Sequence, residues 1–296
     1  AHLCPASACV LSNRMSYFIL FLSALIALVG CGGEKRDAAL APGLEVPALT
    51  HSLFSACTVK GNEADARASL GKYMVTTNVW NPTAANYFSE CIKARHDTAT
   101  GLIDAQINWN VQGSNNQVLS FPNFAYGWQV GTDQGSSTKK LPTTVGSLGD
   151  LTASGRIETV CAAGSTCTMN TAFDLLFSNT PTPATWPPTA ELMVWVQATC
   201  NACNAGKLVG TVSIDGVNFE VYKGTVTPPT GTASWTYVAY VAEKTVTQFN
   251  FNIKNFLTDS LARGYLKASD YLAVVEIGTE VTSGQGTTTL SGYGVR

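Results

Sequence analysis

Residues 190–197 read AELMVWVQ, and this short stretch indicates how much of the chain is built. Polar and apolar side chains alternate in it, as they do in a β-strand that packs one face against a core. The apolar face consists of Leu192, Val194 and Val196. The other face carries a carboxylate, a thioether, an indole and an amide, from Glu191, Met193, Trp195 and Gln197. Because charged side chains are rarely buried unpaired, we expect this face to line a cleft, although a solvent-facing polar row with an incidental tryptophan fits the same pattern.

Similar alternating segments recur on both sides of this stretch. They are Ile103–Val111, Arg156–Val160, Thr171–Phe177, Glu191–Ala198, Leu208–Ile214, Asn218–Tyr222, Trp235–Ala242 and Tyr271–Ile277. Turn residues separate them, and Asp215-Gly216 suits a tight hairpin turn. Only Asn250–Arg263 breaks the pattern, because its apolar residues have helical spacing. The sequence therefore predicts an all-β sandwich or barrel with a single helix packed on it.

Composition excludes several classes of protein. The 296 residues include 18 Lys and Arg against 20 Asp and Glu, so there is no basic excess to neutralise nucleic-acid phosphates. The hydrophobic fraction of 45% is too high for intrinsic disorder. The histidines are scattered, and Cys200-Asn-Ala-Cys203 has no second CxxC partner, so we expect neither a metal nor another cofactor.

The first fifty residues have the composition of a targeting segment. Tyr17–Gly30 is apolar and uncharged, too short to span a bilayer and typical of the centre of a secretion signal. Leu28-Val-Gly-Cys31 resembles the bacterial lipobox, which implies a lipid on Cys31 and attachment to a membrane. We expect a signal segment at 1–30 (with 1–14 as a possible upstream extension), a lipidated tether at 31–50 and a folded domain at 51–296. This organisation predicts secretion across the inner membrane, to the outer membrane or the extracellular space, and we also expect a monomer.

The cysteines indicate an oxidising compartment. Of the nine, Cys4 and Cys9 precede the expected cleavage site and Cys31 carries the lipid. The other six allow 15 pairings. Their spacing favours Cys161–Cys167 and Cys200–Cys203, which leaves Cys57–Cys91.

Further carboxylates fall in phase on neighbouring predicted strands. Asp174 shares a strand face with Asn170, and Glu276 shares one with Glu280 if that strand is unbroken. Two such glutamates suit the cleavage of a glycosidic bond, in which one carboxylate attacks or stabilises the anomeric carbon. The other must protonate the leaving oxygen, so its pKa must be raised. A tryptophan beside polar groups suits the same substrates, because pyranose faces stack on flat rings.

Several ordered motifs resemble those of glycoside hydrolase family 12, which contains endo-β-1,4-glucanases and xyloglucanases. They are Asn78-Val-Trp80, Ser120-Phe-Pro-Asn123, Phe173-Asp174-Leu175, Glu191-Leu-Met-Val-Trp195 and Gly278-Thr-Glu280. The resemblance implies a β-jelly roll of two curved antiparallel sheets with an open cleft and one short helix. It also implies a retaining, two-step cleavage of a β-glucan polysaccharide without a cofactor, and it matches the Cys57–Cys91 pair.

The resemblance assigns roles to individual residues. Glu191 would be the nucleophile, Glu280 the general acid/base, and Asp174 the residue that hydrogen-bonds the nucleophile. The substrate-binding candidates are Asn78, Trp80, Asn170, Met193, Trp195 and Glu276. Glu276 departs from the family, which usually has Gln there, and the Pro-rich loop at 179–189 adds Trp186 at the cleft rim. The alternative is a non-catalytic glycan-binding surface lipoprotein on the same scaffold.

Overall fold

The computed structural model describes residues 51–61, 65–114, 117–199, 206–227 and 233–296. These residues form 15 β-strands, one α-helix and two short 3-10 helices. The strands are β1 (His51–Val59), β2 (Arg67–Leu70), β3 (Tyr73–Thr76), β4 (Tyr87–Asp97), β5 (Ile103–Gln112), β6 (Asn123–Gly127), β7 (Thr143–Thr144), β8 (Thr152–Cys161), β9 (Thr168–Ser178), β10 (Ala190–Ala198), β11 (Lys207–Ile214), β12 (Val217–Val226), β13 (Trp235–Ala242), β14 (Gln248–Asn252) and β15 (Tyr271–Val295). The α-helix is α1 (Ile253–Ala262), and the 3-10 helices are Pro82–Ala84 and Val145–Ser147.

The predicted signal segment, the tether, the lipid on Cys31 and the Cys200–Cys203 disulfide all lie outside the described residues. Among the helices that the structure does describe, none has both the length and the apolar character needed to cross a membrane.

Two sheets share the 25-residue strand β15. The first half of β15 pairs with β6, β7 and β9, and the second half pairs with β5 and β8. We call the sheet with the order β2-β3-β6-β15-β9-β10-β13-β12-β11 the site sheet, and the sheet with the order β1-β4-β5-β15-β8-β14 the back sheet. The predicted all-β jelly roll with one short helix is thereby confirmed.

The expectation of wholly antiparallel sheets is wrong at one pair, because β10 and β13 run parallel. The chain reverses twice, from β11 to β12 at Asp215-Gly216 and again from β12 to β13. These two reversals return β13 to the direction of β11, and β13 then lies beside β10 with Glu191 opposite Tyr237.

The main core lies between the two sheets. Alternate side chains point into it from both, such as Ile92 and Ile107 from the back sheet and Leu192 and Val194 from the site sheet. Aromatic rings fill one end in contacting pairs whose centroids are 5.4 to 6.1 Å apart, from Phe173, Phe219, Phe251 and Phe256. Because Phe256 belongs to α1, this cluster attaches the helix to the sandwich.

The helix begins later than predicted, at Ile253 instead of Asn250. The three residues before it belong to β14, whose Phe249 and Phe251 alternate into the core. Asn252 ends the strand and caps the helix, because its side chain accepts a hydrogen bond from the backbone N–H of Lys254.

Two of the predicted disulfides are confirmed. Cys57–Cys91 joins directly paired positions of β1 and β4. Cys161–Cys167 closes the turn between β8 and β9.

Candidate active site

Three neighbouring strands of the site sheet place four carboxyl groups on the face that points away from the main core. They are Asp174 on β9, Glu191 on β10, and Glu276 and Glu280 on β15. The register puts Glu276 opposite Asp174, Asp174 opposite Met193, and Glu280 opposite Asn170. Since residues two or four apart on a strand share a face, one surface carries all four acids.

Glu191 is a partly exposed carboxyl held by an indole. Its Oε2 accepts a 2.7 Å hydrogen bond from Nε1 of Trp235. Burial raises the pKa of Glu191 to about 7; the hydrogen bond from Trp235 opposes this rise, and the charge of Glu280 adds to it. Glu191 is therefore held in one orientation and is a weaker acid than a glutamate in water.

Glu280 is also partly exposed, and Nδ2 of Asn170 donates a hydrogen bond to its Oε2. Burial raises the pKa of Glu280, while the hydrogen bond from Asn170 lowers it. Although Glu191 and Glu280 lie on opposite sides of β9, the charge of Glu280 raises the pKa of Glu191. The two carboxyls therefore face the same space above the site sheet, close enough to interact electrostatically, and we refer to this space as the groove.

Asp174 lies between the two glutamates in strand order. Burial raises the pKa of Asp174 well above its ordinary value, and the charges of Glu191, Glu276 and Glu280 add to this rise. Its Oδ1 is buried and has no hydrogen-bond partner in the described part of the chain. A protonated Asp174 is a hydrogen-bond donor, which is the form that can stabilise an ionised Glu191.

Glu276 is only 2% exposed, so the protein leaves a substrate little access to it. Burial raises the pKa of Glu276 to about 8; a hydrogen bond from Gln129 and the charge of Arg67 lower it, and the charge of Glu191 raises it. At acidic and neutral pH, Glu276 is therefore mostly a neutral acid below the groove surface.

Met193 and Trp195 lie on the same strand face as Glu191, but they are only 2% and 1% exposed. The sulfur of Met193 accepts two 3.3 Å hydrogen bonds, from Nε1 of Trp195 and from the hydroxyl of Tyr237. These three side chains support the floor of the groove and offer little surface to a ligand.

Two exposed tryptophans lie near opposite ends of the carboxyl cluster. Trp80 is 38% exposed and follows Asn78, whose φ of 43° is in the left-handed region. This segment is attached through Ser120 to Val281, the residue after Glu280. Trp186 is 51% exposed and packs on Trp235, the residue that holds Glu191.

The sequence analysis did not identify Trp235, Tyr237 or Gln129 as parts of this site. The alternation in β13 puts Trp235 and Tyr237 on one strand face. However, their proximity to Glu191 depends on the parallel pairing of β10 with β13, for which the sequence gives no signal. Within the described residues, no group of three or more His, Cys, Asp or Glu side chains is arranged to hold a metal ion.

A β-sandwich sheet face that combines interacting carboxyls with nearby exposed indoles has the features of a glycoside hydrolase site. Residues 71–295 match the sequence model of Glycosyl hydrolase family 12, and the chain belongs to that family. The motif resemblance in the sequence is thereby confirmed.

Individual relatives agree with this assignment. Endoglucanase S of Pectobacterium parmentieri is 28% identical over 253 residues, which cover 83% of this chain and 90% of that protein. An inactive glycoside hydrolase of Phytophthora nicotianae is 29% identical over 218 residues, or 72% of this chain and 81% of that protein. The structure of a family 12 xyloglucanase from Bacillus licheniformis has a TM-score of 0.70 at 25% identity, covering 82% of this chain and 99% of that one.

Proposed function

We propose that this protein is an endo-acting, retaining hydrolase of β-1,4-linked glucans, with Glu191 as nucleophile and Glu280 as general acid/base. The observation that carries the proposal is that both glutamates are partly exposed on one sheet face and interact electrostatically. A retaining mechanism needs two carboxyls on either side of one anomeric carbon, about 5–5.5 Å apart. The names of the relatives support a glucan substrate, because they include an endoglucanase and a xyloglucan-specific endo-β-1,4-glucanase.

In the first step, protonated Glu280 donates its proton to the glycosidic oxygen while the Glu191 carboxylate bonds to the anomeric carbon. The leaving sugar departs with that proton, and a glycosyl ester of Glu191 remains. In the second step, ionised Glu280 takes a proton from water, whose oxygen displaces Glu191 and restores the original configuration. The N–H of Trp235 stabilises Glu191 each time it carries a full negative charge. We assign the same role to Asp174, which can donate a hydrogen bond when it is protonated.

The roles of the two glutamates are separable by experiment. Glu191→Gln and Glu280→Gln should each lower reducing-sugar release from barley β-glucan and xyloglucan by several orders of magnitude. Glu158→Gln is the matched control, because Glu158 is an exposed back-sheet residue in a salt bridge with Arg156. Full activity in either groove variant would refute the proposal.

A covalent trapping experiment distinguishes the nucleophile from the acid/base. A 2-fluoro glucoside with a good leaving group should leave its glycosyl group on the peptide that contains Glu191, as seen by mass spectrometry. Azide added to Glu191→Gly should restore turnover and give a product of inverted configuration, whereas Glu280→Ala with azide should give the retained one. A label on Glu280 would reverse the assignment.

A non-catalytic glycan-binding protein on the same scaffold is the second candidate, and the inactive relative supports it. That candidate predicts that the wild-type protein binds cellohexaose or xyloglucan but releases no reducing sugar. Retention of Glu191, Glu280 and Asp174 favours the enzyme, because a binding protein has no need of three acids with raised pKa values.

Secretion and lipid attachment remain predictions. Two disulfides support folding in an oxidising compartment. Metabolic labelling with a fatty acid in a bacterial host, compared between the wild type and Cys31→Ala, tests the anchor directly.

A further inference from the structure

We propose that Trp186 is a sugar-binding platform at the Glu191 end of the groove, on which a glucose ring beyond the reacting one stacks. This inference deepens the proposed function, since it takes the glucan as the ligand. It assigns the Pro-rich loop at 179–189 to substrate recognition and adds Trp186 to the residues that determine how long a bound glucan must be.

Direct contacts connect Trp186 to the reaction centre. Its ring meets the ring of Trp235 edge to face, with centroids 5.4 Å apart and planes at 79°. Nε1 of Trp235 in turn donates the 2.7 Å hydrogen bond to Glu191. Trp186 is thus one side chain removed from the proposed nucleophile, while about half of its surface remains open to solvent.

The loop holds the exposed ring in a defined position. The backbone N–H of Gly131 donates a 2.9 Å hydrogen bond to the carbonyl of Pro183. Gly131 has a φ of 81°, and a methyl group added to it would lie 3.2 Å from Cβ of Trp186, so this backbone segment packs closely against the tryptophan. Proline restricts the backbone on both sides of Trp186, at Pro181, Pro183, Pro187 and Pro188. A ring that is already ordered loses little conformational entropy when a ligand stacks on it.

Trp186, like Trp80, is much more exposed than the indoles that serve the core. Trp195 and Trp109 are almost completely buried and Trp235 is 5% exposed, so the sandwich packs indoles well where they serve the core. Trp186 packs against Trp235 and the Gly131 segment, and about half of it stays open to solvent. An aromatic ring with one open face beside polar groups is suited to a sugar, which has an apolar ring face and polar hydroxyls at its edge.

The two exposed tryptophans flank the carboxyl cluster. The Trp80 segment pairs through Ser120 with Val281, the neighbour of Glu280. Trp186 contacts Trp235, which donates a hydrogen bond to Glu191. A glucan that reaches both rings must extend past the reacting bond in both directions. Trp186 should therefore matter for long chains and be irrelevant to substrates that fill only the central positions.

Steady-state kinetics with substrates of two lengths tests the proposal. Trp186→Ala should raise KM for cellohexaose by about tenfold, with kcat almost unchanged. On a short aryl cellobioside, kcat/KM should stay within about twofold of the wild-type value, since loss of a remote contact affects only ligands that reach it. Trp186→Phe should recover most of the affinity, because it keeps a flat ring.

Tyr87→Ala is the matched control, because Tyr87 is an aromatic side chain of the back sheet with 44% exposure. It should leave both substrates unaffected, and thermal melting should show that all variants are folded. An unchanged KM for cellohexaose in Trp186→Ala would overturn the inference. So would an equal loss on the long and short substrates, since that pattern would mean that Trp186 only supports Trp235.

Failure of this inference is distinguishable from failure of the proposed function. A wild-type enzyme that hydrolyses β-glucan, together with an unaffected Trp186→Ala variant, removes only the platform. If the wild type hydrolyses nothing, calorimetric titration with cellohexaose still tests the platform. A tenfold weaker Kd in Trp186→Ala then supports it, and an equal Kd refutes it.

Discussion

Replacing Glu276 by Gln should stabilise the folded protein, and the size of the effect follows from its burial. Glu276 is 2% exposed and its pKa is raised to about 8, against an ordinary value of 4.5. Between these two pH values the folded state binds more protons at this site than the unfolded state does, so stability falls as pH rises. At pH 7, Glu276 therefore lowers the free energy of unfolding by about 3 kcal/mol. Each pH unit above 4.5 adds ~1.4 kcal/mol to this loss, until the carboxyl also ionises in the folded state.

Glutamine removes the ionisation and keeps the shape of the side chain, including an oxygen that can accept the hydrogen bond from Gln129. Urea denaturation at pH 7 should therefore show a gain of about 3 kcal/mol in the free energy of unfolding. At pH 4 the gain should almost vanish, because Glu276 is then largely protonated in both states.

Glu90→Gln is the matched variant that separates the effect on stability from the effect on activity. Glu90 faces the interior from β4 of the back sheet, is 1% exposed and has a pKa raised to about 8 by burial. Its Oε2 accepts a hydrogen bond from Ser120, which an amide oxygen can also accept. We expect the same pH-dependent gain in stability from Glu90→Gln, without any change in the pH profile of hydrolysis.

Activity gives the second readout of Glu276→Gln. At pH 5.5 its kcat/KM should match that of the wild type within a few-fold, because a neutral amide replaces a neutral acid. Above pH 8 the variant should become the more active of the two, because ionised Glu276 then repels the charge on Glu191. A loss of more than tenfold at pH 5.5, or no gain in stability at pH 7, would refute the reasoning.

Three further changes give distinct outcomes. Trp235→Phe should lower kcat/KM by about 10- to 100-fold. It should also move the acidic limb of the pH profile to higher pH, because the hydrogen bond from Trp235 lowers the pKa of Glu191 and its loss raises that pKa. Asn170→Ala should move the alkaline limb to higher pH, because the hydrogen bond from Asn170 lowers the pKa of Glu280 and its loss raises that pKa. An unmoved alkaline limb would contradict the assignment of Glu280 as the general acid. In urea denaturation, replacing Cys57 and Cys91 by Ser should lower the free energy of unfolding by about 4 kcal/mol, and replacing Cys161 and Cys167 should lower it by about 2 kcal/mol. The difference arises because the first disulfide closes a loop of 34 residues and the second a loop of 6. Equal losses would show that loop entropy does not set the two contributions.

Local periodicity was enough to predict the strands that carry the site. The alternation in 190–197 separated Glu191 from Leu192 and Val194, and the structure has these residues on opposite faces of β10. It failed just before the helix, because Phe249 has helical spacing to Ile253 and Phe256 and also alternates with Phe251 as in a strand. Periodicity also predicted that this strand ends at Ile277, whereas β15 continues to Val295. The reason is that Gly278 and the Thr- and Gly-rich residues after it lack apolar alternation.

The parts of the site that sequence could not predict depend on distant pairing. Trp235 reaches Glu191 only because β13 lies parallel to β10. The shifted pKa values depend on burial and on the charges of neighbouring strands, and a sequence gives neither. The motif resemblance supplied Glu280 and Asp174 because it reports on residues far apart in the chain.

The four acids of the groove can lie this close together because they are not all ionised at once. Burial and mutual repulsion favour the neutral forms of Asp174 and Glu276, so these two contribute little charge at acidic pH. Burial raises the pKa of Glu191 and of Glu280 as well, and a two-step displacement requires one of these two carboxyls to be ionised while the other is protonated. Below about pH 8, Glu276 is mostly neutral and should affect hydrolysis no more than an amide at the same position would. Its effect on the rate should therefore appear only at alkaline pH, where Glu276 ionises.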